Sequence, residues 1–348
     1  MARRKKRKSP FSGVLIVFII LSLIVLLVGY KFYLGIFAPN INPAYIQKHD
    51  VIEIKSGMTY DQVLDQFERD SVLLDLRSFK LVAKKMNYAN HIYARRYPVT
   101  KDMNNYDLIK MLRAGNNTPF MLTIDKYRTI YELAGGIGAQ LEIDSAEIVD
   151  FILEKDFLNE HNLNSENALS YFIPNSYEFY WNTSIENFFN RMQKEADKFW
   201  NEERIEKAKA IRFSKAEVYT MASIVQEEAV YESELERIAG VYLNRMRKKM
   251  RLQADPTIKF LIKDRKDQKL YLNDYKITSS YNTYENSGLT PGPIIMARMS
   301  AMDAVLNAER HEFLYFCAKA DGSGFHEFST NLRQHTNYRN LYLRSKKK

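Results

Sequence analysis

The chain has 348 residues, 46% of them apolar, with a formal net charge of +9 and one cysteine. The single Cys317 excludes an intramolecular disulfide, and the length suffices for two domains with ordinary cores. Six of the excess positive charges lie within residues 3–8 and three within 346–348, so the remainder is close to neutral. Such a distribution indicates membrane topology and argues against nucleic acid as a partner.

An apolar run follows the basic N-terminus. Residues 9–30 carry no charge, and about 20 apolar residues suffice to span a bilayer. The run is longer than a signal-peptide core and lacks a small-x-small cleavage site, which favours an uncleaved anchor over a signal peptide. We therefore predict a cytoplasmic tail (1–10), a transmembrane helix in the lipid bilayer (11–30) and export of the remainder.

Residues 31–48 are predicted to link the membrane to the folded body, because Ala38–Pro43 is a polar stretch with two prolines. A strand (Val51–Ile54) and a helix (Tyr60–Arg69) follow, and a similar strand–helix pattern recurs about 45 residues later. Small strand–helix–helix–strand units of this kind resemble LysM-like carbohydrate-binding modules. Residues 49–118 are therefore predicted to form a LysM-like subdomain.

The remainder, residues 119–348, is predicted to be a mixed α/β domain, which makes the whole chain α+β. Helices predominate from 142 to 206, with an irregular aromatic loop at Tyr171–Tyr180. A long stretch without proline, about Lys215–Lys249, predicts a helix. A short helix within Met250–Ile262, a helix at Met296–Ala308 and a hairpin with its turn at 321–322 complete the fold.

A carboxylate interrupts the apolar stripe of the Lys215–Lys249 helix. Met221, Ile224 and Val225 occupy positions i, i+3 and i+4, and Glu228 occupies i+7 of the same stripe. Burial disfavours the charged form, so the pKa of Glu228 should rise towards neutrality, as a general acid requires. Glu227, rotated by about 100°, should lie on the flank.

Periodicity leaves an alternative open, in which the acidic residues of this region form one solvated face: Glu227, Glu228, Glu232, Glu234 and Glu236. Metal catalysis finds little support, because the six histidines are scattered and no H-E-x-x-H pattern occurs. No G-x-S-x-G elbow or P-loop occurs either. Acid–base chemistry by a carboxylate remains, among Asn, Gln and Tyr residues that suit a sugar cleft.

Several motifs occur in a recognisable order: Met221-Ala-Ser-Ile-Val-x-x-Glu228, Leu243-Asn-Arg245, Met250-Arg-Leu-Gln-Ala-Asp-Pro-Thr257, Tyr281-Asn-Thr-Tyr284, Gly288-Leu-Thr-Pro-Gly-Pro-Ile294 and His326-x-Phe328. Together they resemble the MltG-type (YceG-like) endolytic murein transglycosylases over nearly the whole chain. Two departures are visible. Gln226 stands where the family often has Glu, and Ile295–Arg298 replaces the family's Asn-Pro-Gly.

The resemblance implies that Glu228 is the catalytic residue. The residues that it implies for substrate binding are Gln253, Asp255, Tyr281, Asn282, Tyr284 and His326. It implies no metal and no cofactor. Structural alternatives remain for several of these positions: Asp255-Pro256 could cap a short helix, Arg245 could pair with nearby Glu residues, and His326 could be a packing residue.

The resemblance further implies an enzyme of the bacterial inner membrane that cleaves the MurNAc–GlcNAc β-1,4 bond within nascent glycan strands. The products would carry 1,6-anhydroMurNAc ends, and cleavage would terminate strand elongation, with penicillin-binding proteins as candidate partners. Two alternatives stay open. One is a membrane-tethered peptidoglycan-binding scaffold; the other is a lysozyme-like hydrolase with Asp255 or Glu178 as a second carboxylate.

Overall fold

The computed structural model describes residues 10–115, 118–265 and 269–346. The chain divides into two compact units, Met1–Thr118 (unit 1) and Pro119–Lys348 (unit 2). Both combine helices with two-stranded antiparallel sheets, which confirms the α+β class. Most of the cytoplasmic tail predicted for residues 1–10 lies outside the described residues.

Unit 1 begins with one long apolar helix, α1 (Pro10–Phe37). An 18-residue stretch within Val14–Phe37 has a mean hydropathy of 2.8, and none of its residues is buried. The helix is therefore long and apolar enough to cross a membrane, and it continues beyond residue 30, where the sequence predicted its end.

The other elements of unit 1 are α2 (Pro43–Ile46), β1 (Val51–Ile54), α3 (Tyr60–Arg69), α4 (Leu76–Lys85), β2 (Arg95–Pro98) and α5 (Asn105–Arg113). Strands β1 and β2 pair antiparallel, with Val51 opposite Pro98. The two predicted repeats are thus the two halves of one strand–helix–helix–strand unit. The segment predicted as a linker packs into the same unit, because Ile41 is buried and bridges to Leu73. The LysM-like identity of this unit stays a prediction.

Unit 2 contains β3 (Phe120–Ile124), α6 (Ile130–Gly138), α7 (Ser145–Leu153), α8 (Lys155–Glu160), β4 (Asn175–Phe179), α9 (Ile185–Phe199), α10 (Glu202–Ile211), α11 (Lys215–Glu228), α12 (Leu235–Arg247), α13 (Asp255–Leu261), α14 (Met299–Leu306), β5 (Tyr315–Ala318), β6 (His326–Ser329) and α15 (Leu332–Ser345). The aromatic segment predicted as an irregular loop contains strand β4, which pairs with β3. Strands β5 and β6 form the predicted hairpin. Helix α15 was not predicted, because its sequence is largely polar and none of its residues is buried.

Helix α11 is the centre of unit 2. It begins with a capping box between Ser214 and Glu217, and every residue from Val218 to Gln226 is buried among α10, α12, α13 and α14. The predicted single helix Lys215–Lys249 is wrong, since α11 ends at Glu228 and Ala229 is extended (φ −85°, ψ 130°). The apolar stripe continues on α12, a separate helix, so the break places Glu228 at a helix terminus.

The side chain of Gln226 joins α11 to the segment Ile295–Arg298. Its Nε2 donates to the carbonyl of Met296 (2.9 Å), and its Oε1 accepts from the backbone N–H of Arg298 (2.8 Å). An amide can donate and accept at once, which an ionised Glu cannot do. The amide therefore suits this buried position.

Candidate active site

A cleft of about 490 Å³ opens at the C-terminal end of α11. Its walls come from α11, α12, the segment before α13, the β5–β6 hairpin and α15. The residues with polar or aromatic groups that line it are Glu228, Tyr242, Arg245, Gln253, Asp255, Tyr284, Tyr315, Phe316, His326, His335, Arg339 and Tyr342. Elements distant in sequence therefore meet around one carboxylate.

Glu228 is half-buried and its carboxyl group lies against Tyr242, whose hydroxyl donates to Oε1 at 2.7 Å. Burial raises the pKa of Glu228 from its usual 4.5 to about 7. The hydrogen bond from Tyr242, the charge of Lys259 and the backbone N–H of Asp255 oppose this rise, whereas the charge of Asp255 adds to it. The C-terminal end of a helix also disfavours an anion. Glu228 can therefore hold a proton near neutral pH and release it easily.

The neighbouring Glu227 points away from the cleft. It is exposed and its carboxylate lies 3.6 Å from the guanidinium of Arg128. The predicted orientation of the two glutamates is thus confirmed. The alternative of one solvated acidic face is wrong, because Glu228 is half-buried and Glu234 is only 6% exposed.

Asp255 is held by two tyrosines. Oδ1 of Asp255 accepts from the hydroxyl of Tyr284 (2.5 Å) and from that of Tyr275 (3.3 Å). Burial first, and then contact with Asp255, raise the pKa of both phenols, that of Tyr275 to about 12. Asp255 is the first residue of α13 and Ala254 occupies the N-cap, so the predicted capping role of Asp255 is wrong. Its carboxylate instead accepts the tyrosine hydrogen bonds at the wall of the cleft.

Arg245 has no carboxylate partner among the residues that the structure describes, so the alternative in which it pairs with nearby Glu residues is wrong. Its guanidinium donates to the carbonyls of Arg251 (2.8 Å) and Leu314 (3.1 Å) and to Oε1 of Gln253 (2.5 Å). Gln253 has a positive φ of 52°, a backbone conformation that is uncommon outside glycine and often found at functional sites. The contact with Arg245 fixes the side chain of Gln253 at the cleft.

His326 reaches the cleft from strand β6 and is held by Glu234. The Glu234 carboxylate accepts from Nδ1 of His326 at 2.8 Å and from its backbone N–H at 3.0 Å. Both side chains are largely buried, at 11% and 7% exposed. Because Glu234 accepts at Nδ1, Nε2 is the ring nitrogen left for a ligand. His326 is therefore more than the packing residue that the sequence left open.

Two of the expected substrate-binding residues do not line the cleft. The hydroxyl of Tyr281 donates to Glu166 (2.9 Å), and its ring packs against Phe260. Asn282 is fully buried, and its amide holds the loop by donating to the carbonyls of Tyr275 and Ile277. The structure thus brings Gln253, Asp255, Tyr284 and His326 to Glu228, but not Tyr281 or Asn282.

Sequence reasoning missed four contributors to this site: Tyr242, Glu234, Tyr315 and helix α15. Tyr242 was assigned to the apolar stripe of one continuous helix, in which 14 residues would separate it from Glu228 by about 21 Å. The contact depends on the break between α11 and α12, which the sequence did not predict. Nothing in the local pattern indicates that α15 turns back against the hairpin.

The chain matches a known protein family over most of its length. Residues 52–340 match the model of the YceG-like family. The chain belongs to the YceG-like family. A curated relative, the endolytic murein transglycosylase of Bacillus subtilis, is 30% identical over 311 residues, which cover 85% of each protein. The endolytic murein transglycosylase of Streptococcus pneumoniae strain D39 is 26% identical over 83% of this chain, which spans only 57% of that longer protein.

A solved structure supports the same assignment. The crystal structure of a YceG-like protein from Listeria monocytogenes superposes with a TM-score of 0.56 and 27% sequence identity. The match covers 82% of this YceG-like chain and 97% of the Listeria chain. The similarity therefore extends across nearly all of the Listeria protein.

Proposed function

We propose that this YceG-like protein is a peptidoglycan lytic transglycosylase in which Glu228 acts first as the acid and then as the base. Family membership and the relatives named endolytic murein transglycosylase support the enzyme class. The observation that carries the catalytic assignment is the pKa of about 7 for a half-buried carboxyl group that lines the cleft at the C-terminal end of α11. A carboxyl group that is protonated and yet readily ionised at neutral pH suits both roles.

The proposed reaction cleaves the MurNAc–GlcNAc β-1,4 bond. Protonated Glu228 donates its proton to the glycosidic oxygen as the C1–O bond breaks and positive charge develops on the sugar ring. The resulting Glu228 carboxylate then takes the proton of the MurNAc C6 hydroxyl, whose oxygen attacks C1 and closes a 1,6-anhydro ring. Water is not consumed, so a second catalytic carboxylate is unnecessary.

The environment of the other carboxylates favours this reaction over hydrolysis. Asp255 accepts hydrogen bonds from two tyrosine hydroxyls on the same oxygen, an arrangement that holds it in place rather than freeing it to activate water. Glu178 is exposed on strand β4 and does not line the cleft. A hydrolase that uses Asp255 or Glu178 as its second carboxylate therefore has less support. A binding scaffold also has less support, because it would give the half-buried Glu228 no role.

The polar side chains of the cleft have proposed parts in the reaction. Gln253, Tyr284 and Nε2 of His326 would bind hydroxyl and amide groups of the glycan, and the ring of Tyr284 would pack on a sugar face. The charge of Asp255 keeps the pKa of Glu228 high while the substrate is absent. Tyr242 would stabilise the Glu228 carboxylate after it has delivered its proton.

Helix α1 suits an anchor that holds the enzyme at the outer face of the bacterial cell membrane, with its basic N-terminus in the cytoplasm. Because a tethered enzyme meets nascent strands near the membrane, we propose that it cleaves these strands internally and thereby terminates their elongation. The penicillin-binding proteins that build those strands are then the partners to test.

Mass spectrometry of sacculi digested by the purified full-length protein tests this function. We expect 1,6-anhydroMurNAc ends generated from within strands. Reducing MurNAc ends as the main product would replace transglycosylation with hydrolysis, and intact glycan would favour a binding scaffold.

A further inference from the structure

The cleft around Glu228 has a basic wall to which the reaction above assigns no task. Arg245 from α12 and His335 and Arg339 from α15 line the same cavity as Glu228. Neither arginine forms an ion pair with a carboxylate among the residues that the structure describes. Charged groups inside a protein are normally paired, so the buried Arg245 is a cation without an ion-pair partner, and the exposed Arg339 adds a second cation to the same wall.

Arg245 is the most deeply placed of the three, at 7% exposed. A guanidinium has five N–H groups, and the hydrogen bonds of Arg245 to Arg251, Leu314 and Gln253 are all to neutral acceptors. Burial lowers the pKa of Arg245, as expected for a cation without a partner. Two N–H groups remain for a ligand in the cleft.

His335 and Arg245 both lie against the ring of Tyr315. The His335 ring stacks on Tyr315 with centroids 5.3 Å apart, and the Arg245 guanidinium carbon lies 5.5 Å from the centroid of the same ring. Burial, followed by the charges of Arg339 and Arg245, lowers the pKa of His335, so both guanidinium groups act on one imidazole. Nδ1 of His335 is buried and has no partner among the described residues.

We propose that Arg245, His335 and Arg339 form a subsite that binds a carboxylate of the muramic acid residue or of its peptide. This inference rests on the proposed function. Muramic acid differs from N-acetylglucosamine by an ether-linked lactyl group, whose carboxyl is free in a peptide-free strand and is amide-linked in a peptide-bearing one. Guanidinium groups bind carboxylates through paired hydrogen bonds. The subsite thus distinguishes the two sugars and sets the register in which MurNAc C1 faces Glu228.

Binding to the full-length Glu228→Gln protein in detergent tests the subsite by calorimetry. The ligands are three matched tetrasaccharides of alternating GlcNAc and MurNAc: one with free lactyl carboxyls, one with lactyl carboxamides and one with stem peptides. In the Glu228→Gln protein, the further substitution Arg339→Gln should weaken the affinity for a carboxylate ligand about tenfold and leave the affinity for the carboxamide ligand unchanged. Loss confined to the peptide-free carboxylate identifies the lactyl group as the source, and loss confined to the peptide-bearing ligand identifies the peptide.

Two variants on the same helix serve as controls. Arg339→Lys keeps the charge and should retain most of the affinity. Arg333 is exposed outside the cleft, so Arg333→Gln should bind all three ligands like the parent. Because Arg339 is exposed, its replacement should not disturb folding, whereas a change at buried Arg245 could.

The outcomes separate the two proposals. If Arg339→Gln binds the three ligands like the parent, or loses affinity for the carboxamide equally, the subsite is wrong. The proposed function then still stands, provided that the wild-type protein forms anhydro ends. If the wild-type protein forms no anhydro ends and the Glu228→Gln protein binds none of the ligands, function and subsite are both overturned.

Discussion

Tyr242 donates its hydroxyl hydrogen to Oε1 of Glu228 across 2.7 Å, from a helix that begins seven residues after Glu228. The bond favours the ionised carboxylate, whereas burial of the same carboxyl favours its protonated form, and burial has the larger effect. The break between α11 and α12 allows the two side chains to face each other. The pKa of Glu228 therefore depends on two opposing contributions, burial and the hydrogen bond from Tyr242, and mutations can separate them.

The first prediction concerns Tyr242→Phe. Removing the hydrogen bond withdraws a contribution that lowers the pKa of Glu228, so this pKa should rise above about 7. A general acid works while it is protonated, and activity is lost as pH rises through its pKa. The alkaline limb of the kcat/KM profile should therefore move to higher pH, and an unmoved limb would show that it reports another group.

The second prediction concerns the two adjacent glutamates. Glu228→Gln keeps the shape and the contact with Tyr242 but cannot deliver a proton, so release of anhydro products should fall roughly 10²–10⁴-fold. Glu227→Gln should cost far less, because Glu227 is exposed and contacts Arg128 instead. Product formation by both variants is measured on the same sacculi. Equal losses would mean that Glu228 is not the acid.

The third prediction concerns stability of the Glu228→Gln protein. The pKa of Glu228 is about 7 in the folded protein and near 4.5 when unfolded, so between these values the folded state retains a proton that the unfolded state releases. Stability due to Glu228 is therefore lost as pH rises through this window. Glutamine does not titrate, so the variant should gain stability at pH 8, by at most about 3 kcal/mol, and little at pH 4. Urea unfolding at both pH values measures this difference, and a gain independent of pH would refute it.

The fourth prediction concerns Asp255→Asn. The charge of Asp255 raises the pKa of Glu228, so its removal should move the alkaline limb of kcat/KM to lower pH, opposite to Tyr242→Phe. The neutral amide of Asn accepts weaker hydrogen bonds from Tyr284 and Tyr275 than the carboxylate does, so the free energy of unfolding should fall by about 1–2 kcal/mol. The products should still carry anhydro ends by mass spectrometry. A switch to reducing ends, or loss of all cleavage in a folded variant, would give Asp255 a catalytic role.

The fifth prediction concerns topology. Six basic residues precede the apolar helix α1, and such an arrangement retains the N-terminus in the cytoplasm. A reporter fused after Lys348 should therefore be active only outside the cytoplasm, and the protein should stay membrane-bound at full length. Release of a shortened soluble form would show that the segment is a cleaved signal.

Local patterns predicted many elements of the fold. Strand β1 and helix α3 have the predicted bounds, Val51–Ile54 and Tyr60–Arg69. Both were predictable because the alternation of apolar and polar residues and the Thr59 capping box depend only on residues close in sequence. The same periodicity placed Glu228 and Glu227 on different faces of their helix. Periodicity did not predict the end of the helix at Ala229, because nothing in the local sequence stops a helix there. The break is accompanied by contacts of Glu234 with the distant His326.

The sequence by itself determined the long apolar helix α1, the family and the identity of Glu228 as the residue to examine. Only the tertiary structure decided which side chains surround Glu228. It placed Tyr284 and His326 at the cleft, buried Asn282 beneath a loop, and brought Arg339 from a helix that the sequence did not predict. The physical reason is that helix and strand patterns depend on near neighbours, whereas desolvation and charge at a cleft depend on residues that folding brings together from distant parts of the chain.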